Sequence, residues 1–168
     1  MRKPSVVDTN VLWVANGGAD YSRRCALACA AKLIDIQKSG SVVLDHGREI
    51  LNEYAKQPQV GQPGIGLQFL KWIYNTKLTK DHCEWVTITR DDLRGYAQFP
   101  DHPGLASFDR SDRKFVAVSI AHGNFPPIIQ AVDSKWLMWS SALLQCGVVV
   151  EFLCPAEIEE IYRKKMGA

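Results

Sequence analysis

The sequence of 168 residues lacks any long uninterrupted apolar run. The apolar stretch after Arg2 and Lys3 ends at Asp8, too early for a signal peptide, and no stretch approaches membrane-spanning length. The five cysteines are odd in number and form no Cys-x-x-Cys pair. Cys25 and Cys29 lack a second pair at zinc-ligand spacing, so we expect small buried thiols in a reducing compartment. These absences argue against a membrane protein and predict a cytoplasmic location.

A strong excess of one charge is also missing, because the formal net charge is only +2. That value is too small to indicate a nucleic-acid partner by itself. The basic residues nevertheless form local groups: Arg23-Arg24, Arg110 with Arg113-Lys114, and Arg163-Lys164-Lys165. If several acids held a metal ion, these groups would form a basic rim around an acidic pocket. The alternative is an ordinary solvated surface of mixed charge.

Short apolar runs alternate with stretches of helical periodicity, which predicts a parallel sheet covered by helices on both faces. The predicted strands are residues 5–8, 41–44, 84–89, 128–132 and 148–153. The predicted helices are 22–38, 48–57, 67–75, 91–96, 109–122, 136–145 and 155–165, with loops at 9–20, 58–66 and 98–108. We therefore expect one domain over residues 1–168, a three-layer α/β/α sandwich with a mainly parallel sheet. Residues 58–108 would form an insert of loops and a helix.

The most informative stretch is Val6-Val7-Asp8-Thr9-Asn10. A buried strand of valines seldom carries an acid, and a buried carboxylate needs a partner such as a metal ion. Asp8 would lie at the carboxyl end of the first strand, where parallel α/β sheets bind ligands. The alternative is that Asp8 caps a turn or helix through its side chain.

Further acids are predicted to converge on Asp8. Asp133 follows a later strand, Asp112 lies in the first turn of a helix, and Glu49 and Glu53 are four residues apart on another helix. Right-handed crossovers bring such strand ends and helix starts to one side of the sheet. These acids offer oxygen ligands, and no group of His or Cys residues accompanies them in the sequence. Such a ligand set favours Mg²⁺ or Mn²⁺ over zinc.

Each of these acids also has a structural alternative. Asp109 and Asp112 could form a reciprocal helix cap, Asp133 could cap the following helix, and Glu53 could face solvent. The combination of two strand-end acids with two helical ones favours the metal site.

The arrangement resembles the PIN-domain family, metal-dependent ribonucleases that include many bacterial toxin components. The resemblance rests on four segments in the family's order: residues 6–12, 49–54, 109–115 and 131–137. It implies four catalytic, metal-binding acids: Asp8, Glu53, Asp112 and Asp133. Glu49 remains an alternative to Glu53. The side chains implied to orient the acids are Thr9, Asn10, Glu49, Asp109 and Ser134, and those implied to hold phosphates are Arg110, Arg113, Lys114 and Lys135.

The resemblance implies an endonuclease for single-stranded RNA, in which one or two Mg²⁺ or Mn²⁺ ions activate a water for in-line attack on phosphorus. It also implies a role as the toxin of a toxin–antitoxin pair, with an antitoxin protein as partner and a homodimer as a compatible state. The rival function is a non-catalytic PIN-like module that binds RNA or protein. A dehalogenase-like phosphatase is disfavoured because Asn10 stands where that chemistry wants a second Asp, and a Rossmann domain because no glycine-rich turn follows the first strand.

Overall fold

The computed structural model describes residues 2–18 and 20–167, which form an α/β fold. The strands are β1 (Lys3–Val7), β2 (Gly40–Asp45), β3 (Cys83–Val86), β4 (Arg90–Asp91), β5 (Gly95–Tyr96), β6 (Ile128–Gln130) and β7 (Val150–Phe152). The helices are α1 (Thr9–Ala15), α2 (Arg23–Ser39), α3 (Glu49–Lys56), α4 (Ile65–Thr76), α5 (Arg113–Ala121), α6 (Lys135–Gln145) and α7 (Pro155–Met166). Short 3₁₀ turns lie at Pro103–Leu105 and Arg110–Asp112.

Five strands form one parallel sheet in the order β3-β2-β1-β6-β7, and helices cover both faces. The predicted three-layer α/β/α sandwich is therefore confirmed. Strand β1 is central, with Lys3 opposite Gly40 on one side and Val6 opposite Ile128 on the other. Because β1 has a neighbour on each side and helices above and below, its two valines, Val6 and Val7, are fully buried.

The strand order reverses next to β1. From β1 the chain moves outward to β2 and β3 on one side, and it later returns to β6 and β7 on the other. Ligands of open α/β sheets bind in the crevice outside the carboxyl ends of strands at such a reversal. The topology thus places the residues that follow β1 and β6 at one crevice.

Residues 9–20 were predicted to be a turn and loop, but Thr9–Ala15 is a helix. Asp8 caps it by accepting a hydrogen bond from the Asn10 N–H at 3.0 Å. Val11, Leu12 and Val14 are fully buried. The sequence prediction failed because a helix of seven residues is too short for its apolar period to stand out from the preceding strand.

The helical turn predicted at 91–96 is instead the hairpin of β4 and β5. The Asp91 carboxylate accepts hydrogen bonds from the N–H groups of Leu93 and Arg94, and Gly95 adopts a φ of +84°. These contacts favour a tight turn over a helix.

Residues 98–108 form a connection that is only partly exposed, contrary to the prediction of an exposed loop. Phe99, Leu105 and Phe108 are buried in it. The Phe108 ring packs against Trp136 and Trp139, with centroid distances of 5.0 and 4.3 Å. The predicted insert also supplies β3, which pairs with β2 at the edge of the main sheet.

The cysteines differ from the prediction of free thiols, because Cys25 and Cys154 form a disulfide across a sequence separation of 129 residues. Cys29 and Cys83 are buried free thiols, and Cys146 is half-buried. The expectation of a reducing compartment depended on free thiols, and the disulfide removes that support. No helix in the described ranges combines the length and the apolar character that a membrane span requires.

Candidate active site

The four acids singled out by the sequence line one open cavity of about 420 Å³ at the strand-order reversal. We call this space the acid cavity and define it by Asp8, Glu53, Asp112 and Asp133. Asp8 directly follows β1 and Asp133 lies just beyond β6. Glu53 reaches the cavity from α3, and Asp112 lies immediately before α5.

Asp8 is buried, and hydrogen bonds hold both of its carboxylate oxygens. The Asn10 N–H donates to Oδ1 and Gln130 Nε2 donates to Oδ2, each at 3.0 Å. Burial is the largest cause that raises the pKa of Asp8 well above its usual range, and the charge of Asp112 is the next. Asp8 therefore does cap a helix, as the structural alternative proposed, and it also feels the charges of Asp112 and Glu53.

Asp112 is less buried than Asp8 but lies among more charges. Burial, and next the charge of Asp133, raise the pKa of Asp112 to about 6, although Lys114 opposes the rise. Its side chain makes no capping hydrogen bond to α5, and Asp109 likewise caps nothing through its side chain. The reciprocal cap proposed as an alternative is therefore absent, which leaves the Asp112 carboxylate available to the cavity.

Asp133 takes part in the turn before α6. Its Oδ1 accepts a hydrogen bond from the Lys135 N–H at 3.1 Å. Asp133 thus resembles Asp8, because one oxygen serves the backbone while the residue lines the acid cavity.

The two glutamates of α3 have different surroundings. One oxygen of Glu53 lies 2.7 Å from Lys114 Nζ, and the other accepts a hydrogen bond from Thr9 Oγ1. Glu49 pairs with Arg90 and accepts a hydrogen bond from the Tyr96 hydroxyl at 2.9 Å. Of the two, only Glu53 lines the acid cavity, so Glu49 is not positioned to orient the four acids.

Two of the predicted phosphate-binding residues are buried in the structure. Arg113 donates hydrogen bonds to the carbonyl oxygens of Arg94, Ala106 and Phe108, and its guanidinium lies 4.4 Å from the centre of the Phe99 ring. These contacts occupy the guanidinium, so Arg113 holds the connection before α5 together. The prediction that Arg113 holds a phosphate is therefore wrong.

Lys114 is also buried, and its ammonium group faces Glu53 and the Ser111 carbonyl oxygen. It therefore neutralises an acid of the cavity instead of presenting a free charge to a phosphate. Lys135 is exposed, and its ammonium group pairs with the Asp109 carboxylate at 2.8 Å. Asp109 therefore contacts a lysine and does not orient the four acids as predicted. Arg110 is exposed and donates to the Leu93 carbonyl oxygen at 2.9 Å.

Gln130 is a residue of the site that the sequence prediction missed. It is fully buried at the end of β6, donates to Asp8 and accepts hydrogen bonds from Asn10 Nδ2 and the Ala131 N–H. Asn10 therefore acts on Asp8 through Gln130 as well as through its own N–H. The sequence did contain a signal for Gln130, because its amide side chain ends the apolar strand Ile128–Gln130. A buried polar side chain needs hydrogen-bond partners, so it points to other polar groups nearby.

Ser134 immediately precedes α6, at its N-cap position, and is buried. Within the described residues, its side chain makes no hydrogen bond to any of the four acids. Trp13 and Tyr21 also line the acid cavity and were not predicted. Lys165 lines it as well, and it belongs to the basic group 163–165 that the sequence placed at a possible basic rim.

The donor set of the acid cavity suits a hard cation, because it consists of carboxylate oxygens. In the part of the chain that the structure describes, no basic side chain pairs with Asp8. The acids surround a space without forming a closed cage. Among the described residues, the only His, Cys, Asp or Glu side chains that bring three ligand atoms within 4.8 Å of one another are Cys25, Cys29 and Cys154. Mg²⁺ keeps several waters when it binds protein, so it can bridge separated carboxylates through water.

No family model, curated protein or solved structure matches this chain. The fold and the geometry of the acid cavity are established by the structure itself. The PIN-like character remains a prediction from the four sequence segments.

Proposed function

We propose that this protein is a metal-dependent endoribonuclease with a PIN-like active site that hydrolyses single-stranded RNA. The observation that carries the proposal is the convergence of four acids on one open cavity at the strand-order reversal. These acids come from four separate elements of the chain. A cluster of like charges raises the pKa values of its members and is costly to maintain without a compensating cation.

The residues that would hold Mg²⁺ or Mn²⁺ are Asp8, Glu53, Asp112 and Asp133. When bound, such an ion would supply a nucleophile by lowering the pKa of water and would offset charge on the phosphoryl group. The chain's own contribution is orientation. Thr9 and Lys114 fix the two oxygens of Glu53, and Gln130 fixes one oxygen of Asp8.

The surroundings of the acid cavity favour a phosphodiester substrate. A second open cavity of about 470 Å³ adjoins it and shares Glu53, Gln57 and Ser111 with it. The exposed cations Lys56, Arg90 and Arg110 line this second cavity, and Lys165 lines the acid cavity itself. Cations on both sides of an acidic centre suit a chain of phosphates that passes across it.

The choice of single-stranded RNA follows from the resemblance of the four segments to ribonucleases. An RNA substrate also favours action in the cytoplasm. Neither the proposed substrate nor the proposed location is inferred from the state of the disulfide.

The deciding experiment replaces Asp8 by Asn, which keeps the size of the side chain and its capacity to cap α1. We expect Mn²⁺-dependent cleavage of a single-stranded RNA to fall by more than about 100-fold, because loss of even an outer contact of a metal site costs 10- to 100-fold. Melting in EDTA should change little, since the relief of repulsion offsets the lost hydrogen bond from Gln130 to Oδ2. Asp101→Asn is the matched control, because Asp101 is exposed and does not line the acid cavity. An Asp8→Asn protein that cuts as fast as wild type would remove the centre of the proposal.

The second candidate is a non-catalytic PIN-like module that binds RNA or protein. The ion pair between Lys114 and Glu53 favours it, because that pair satisfies one of the acids without a metal ion. Wild-type protein that binds RNA but cuts none, with either Mg²⁺ or Mn²⁺, would decide for the module.

A further inference from the structure

A second group of metal-binding side chains lies outside the acid cavity. The sulfur atoms of Cys25, Cys29 and Cys154 all lie within 4.8 Å of one another, and all three residues are buried. We call this group the sulfur cluster. Cys25 and Cys29 are one turn apart on α2, and Cys154 immediately precedes α7. Cys25 and Cys154 are bonded to each other, whereas Cys29 is a free thiol.

Two opposing electrostatic influences act on the sulfur cluster. Cys25 lies in the first turn of the 17-residue helix α2, and Cys154 occupies the N-cap position of the 12-residue helix α7. Both helices therefore direct their N-terminal dipoles at the sulfurs, which stabilises thiolates. Burial and the charge of Glu157 act in the opposite direction and raise the pKa of the Cys29 thiol to about 12. Cys29 therefore gives up its proton only when a cation binds.

Two members of the sulfur cluster border a cavity that opens to solvent, whereas Cys29 is fully buried and does not line it. An open cavity of about 540 Å³ is lined by Cys25, Cys154 and Glu157. The Glu157 carboxylate is held by the Ser22 hydroxyl at 2.6 Å and by the Ser22 N–H at 3.2 Å. A fixed carboxylate beside the sulfurs attracts a cation, and the cavity supplies an entry path and a place for a water ligand.

We propose that, once the disulfide is reduced, Cys25, Cys29 and Cys154 bind a thiophilic divalent cation of the Zn²⁺ class. A dithiol or phosphine reductant supplies two electrons, the Cys25–Cys154 bond breaks, and the two sulfurs take up two protons as thiols. The three thiols then release three protons as the cation binds, because thiolate is the ligand form. The Cα atoms of the bonded pair are 5.4 Å apart, so the two thiols would lie close to each other after reduction. This proposal does not depend on the proposed nuclease function.

The experiment starts from full-length protein reduced with a water-soluble phosphine in EDTA and then freed of both under nitrogen. Titration with Cd²⁺ reports sulfur ligands through ultraviolet thiolate-to-metal charge transfer, which carboxylates of the acid cavity do not give. We expect one Cd²⁺ per chain with this absorption, displaced in competition by Zn²⁺. Cys29→Ala should weaken the binding by more than about tenfold, since even an outer contact contributes that much.

The matched controls are Cys83→Ala and Cys146→Ala, which remove cysteines outside the sulfur cluster and should leave the titration unchanged. Melting of the oxidised Cys29→Ala protein, which retains the disulfide, verifies that it folds. Wild-type protein provides a measurement without substitutions: Cd²⁺ should protect Cys25, Cys29 and Cys154 from alkylation while the half-buried Cys146 still reacts. The proposal is overturned by a disulfide that resists reduction in the folded protein, by an absent absorption band, or by cysteines that Cd²⁺ leaves unprotected.

Discussion

The acid cavity and the sulfur cluster each gather side chains from distant parts of the chain, but they do so for different reasons. The acid cavity forms where two parallel strands end at a reversal of strand order, so sheet topology determines its position. The sulfur cluster forms where the starts of two helices pack together, which no strand order dictates. The two sites also differ chemically, since hard oxygens surround one and soft sulfurs the other.

Charge distinguishes the two regions as well. In the acid cavity, Lys114 pairs with Glu53, while burial and the charge of Asp112 raise the pKa of Asp8. In the sulfur cluster, a covalent bond between two of the sulfurs leaves Cys29 as a neutral thiol, and burial raises its pKa to about 12. The acid cavity thus brings carboxylates together in the protein as it stands, whereas the sulfur cluster offers three thiols only after reduction.

The largest expected effect concerns the two glutamates of α3. Glu53→Gln should reduce Mn²⁺-dependent RNA cleavage by more than about 100-fold, because it removes a charge that lines the acid cavity. Glu49→Gln, one helical turn away, should leave cleavage within a few-fold of wild type, because Glu49 faces Arg90 and Tyr96. Initial rates on a labelled single-stranded RNA measure both. The reverse ranking would assign the site to Glu49 and separate it from the acid cavity.

The next effect separates hard from soft cation binding. In oxidised protein, Mn²⁺ at a hundred times its dissociation constant should stabilise the native state by about 2.7 kcal/mol, or roughly 5–10 °C in melting temperature for a chain of this size. Asp112→Asn should lose most of this shift, while Cys29→Ala should retain it. A shift that disappears in Cys29→Ala would place the Mn²⁺ site at the sulfurs and erase the distinction between the regions.

The smallest effect is the pH dependence of stability without metal. The pKa of Asp112 is raised to about 6 in the folded protein, so the folded state holds its proton more tightly than the unfolded state does. This contribution to stability is complete below about pH 4 and is lost as the pH rises through about 6. Melting temperatures in EDTA should therefore fall less between pH 4 and 7 for Asp112→Asn than for wild type. Asp101→Asn should follow wild type, and equal falls in all three proteins would show that Asp112 is not electrostatically destabilised.

The sequence by itself determined the order of the main elements and the approximate position of the acid cavity. Apolar runs and helical periods are local, and parallel strands must point their carboxyl ends the same way, so Asp8 and Asp133 could be assigned to one edge. Short or turn-dependent elements escaped this reasoning. Helix α1 and the hairpin of β4 and β5 are too short to show a periodic pattern of apolar residues. Hydrogen bonds from backbone N–H groups to the carboxylates of Asp8 and Asp91 stabilise these elements instead.

Only the tertiary structure decided which side chains meet. Glu49 and Glu53 are equivalent by spacing, and the packing of α3 beside α5 directs Glu53 towards Lys114 and the acid cavity. Gln130 lies 122 residues from Asp8 and Cys154 lies 129 residues from Cys25, so no local pattern connects either pair. The physical reason is that periodicity and capping act over a few residues, whereas partner choice depends on the burial of whole helices and strands against one another.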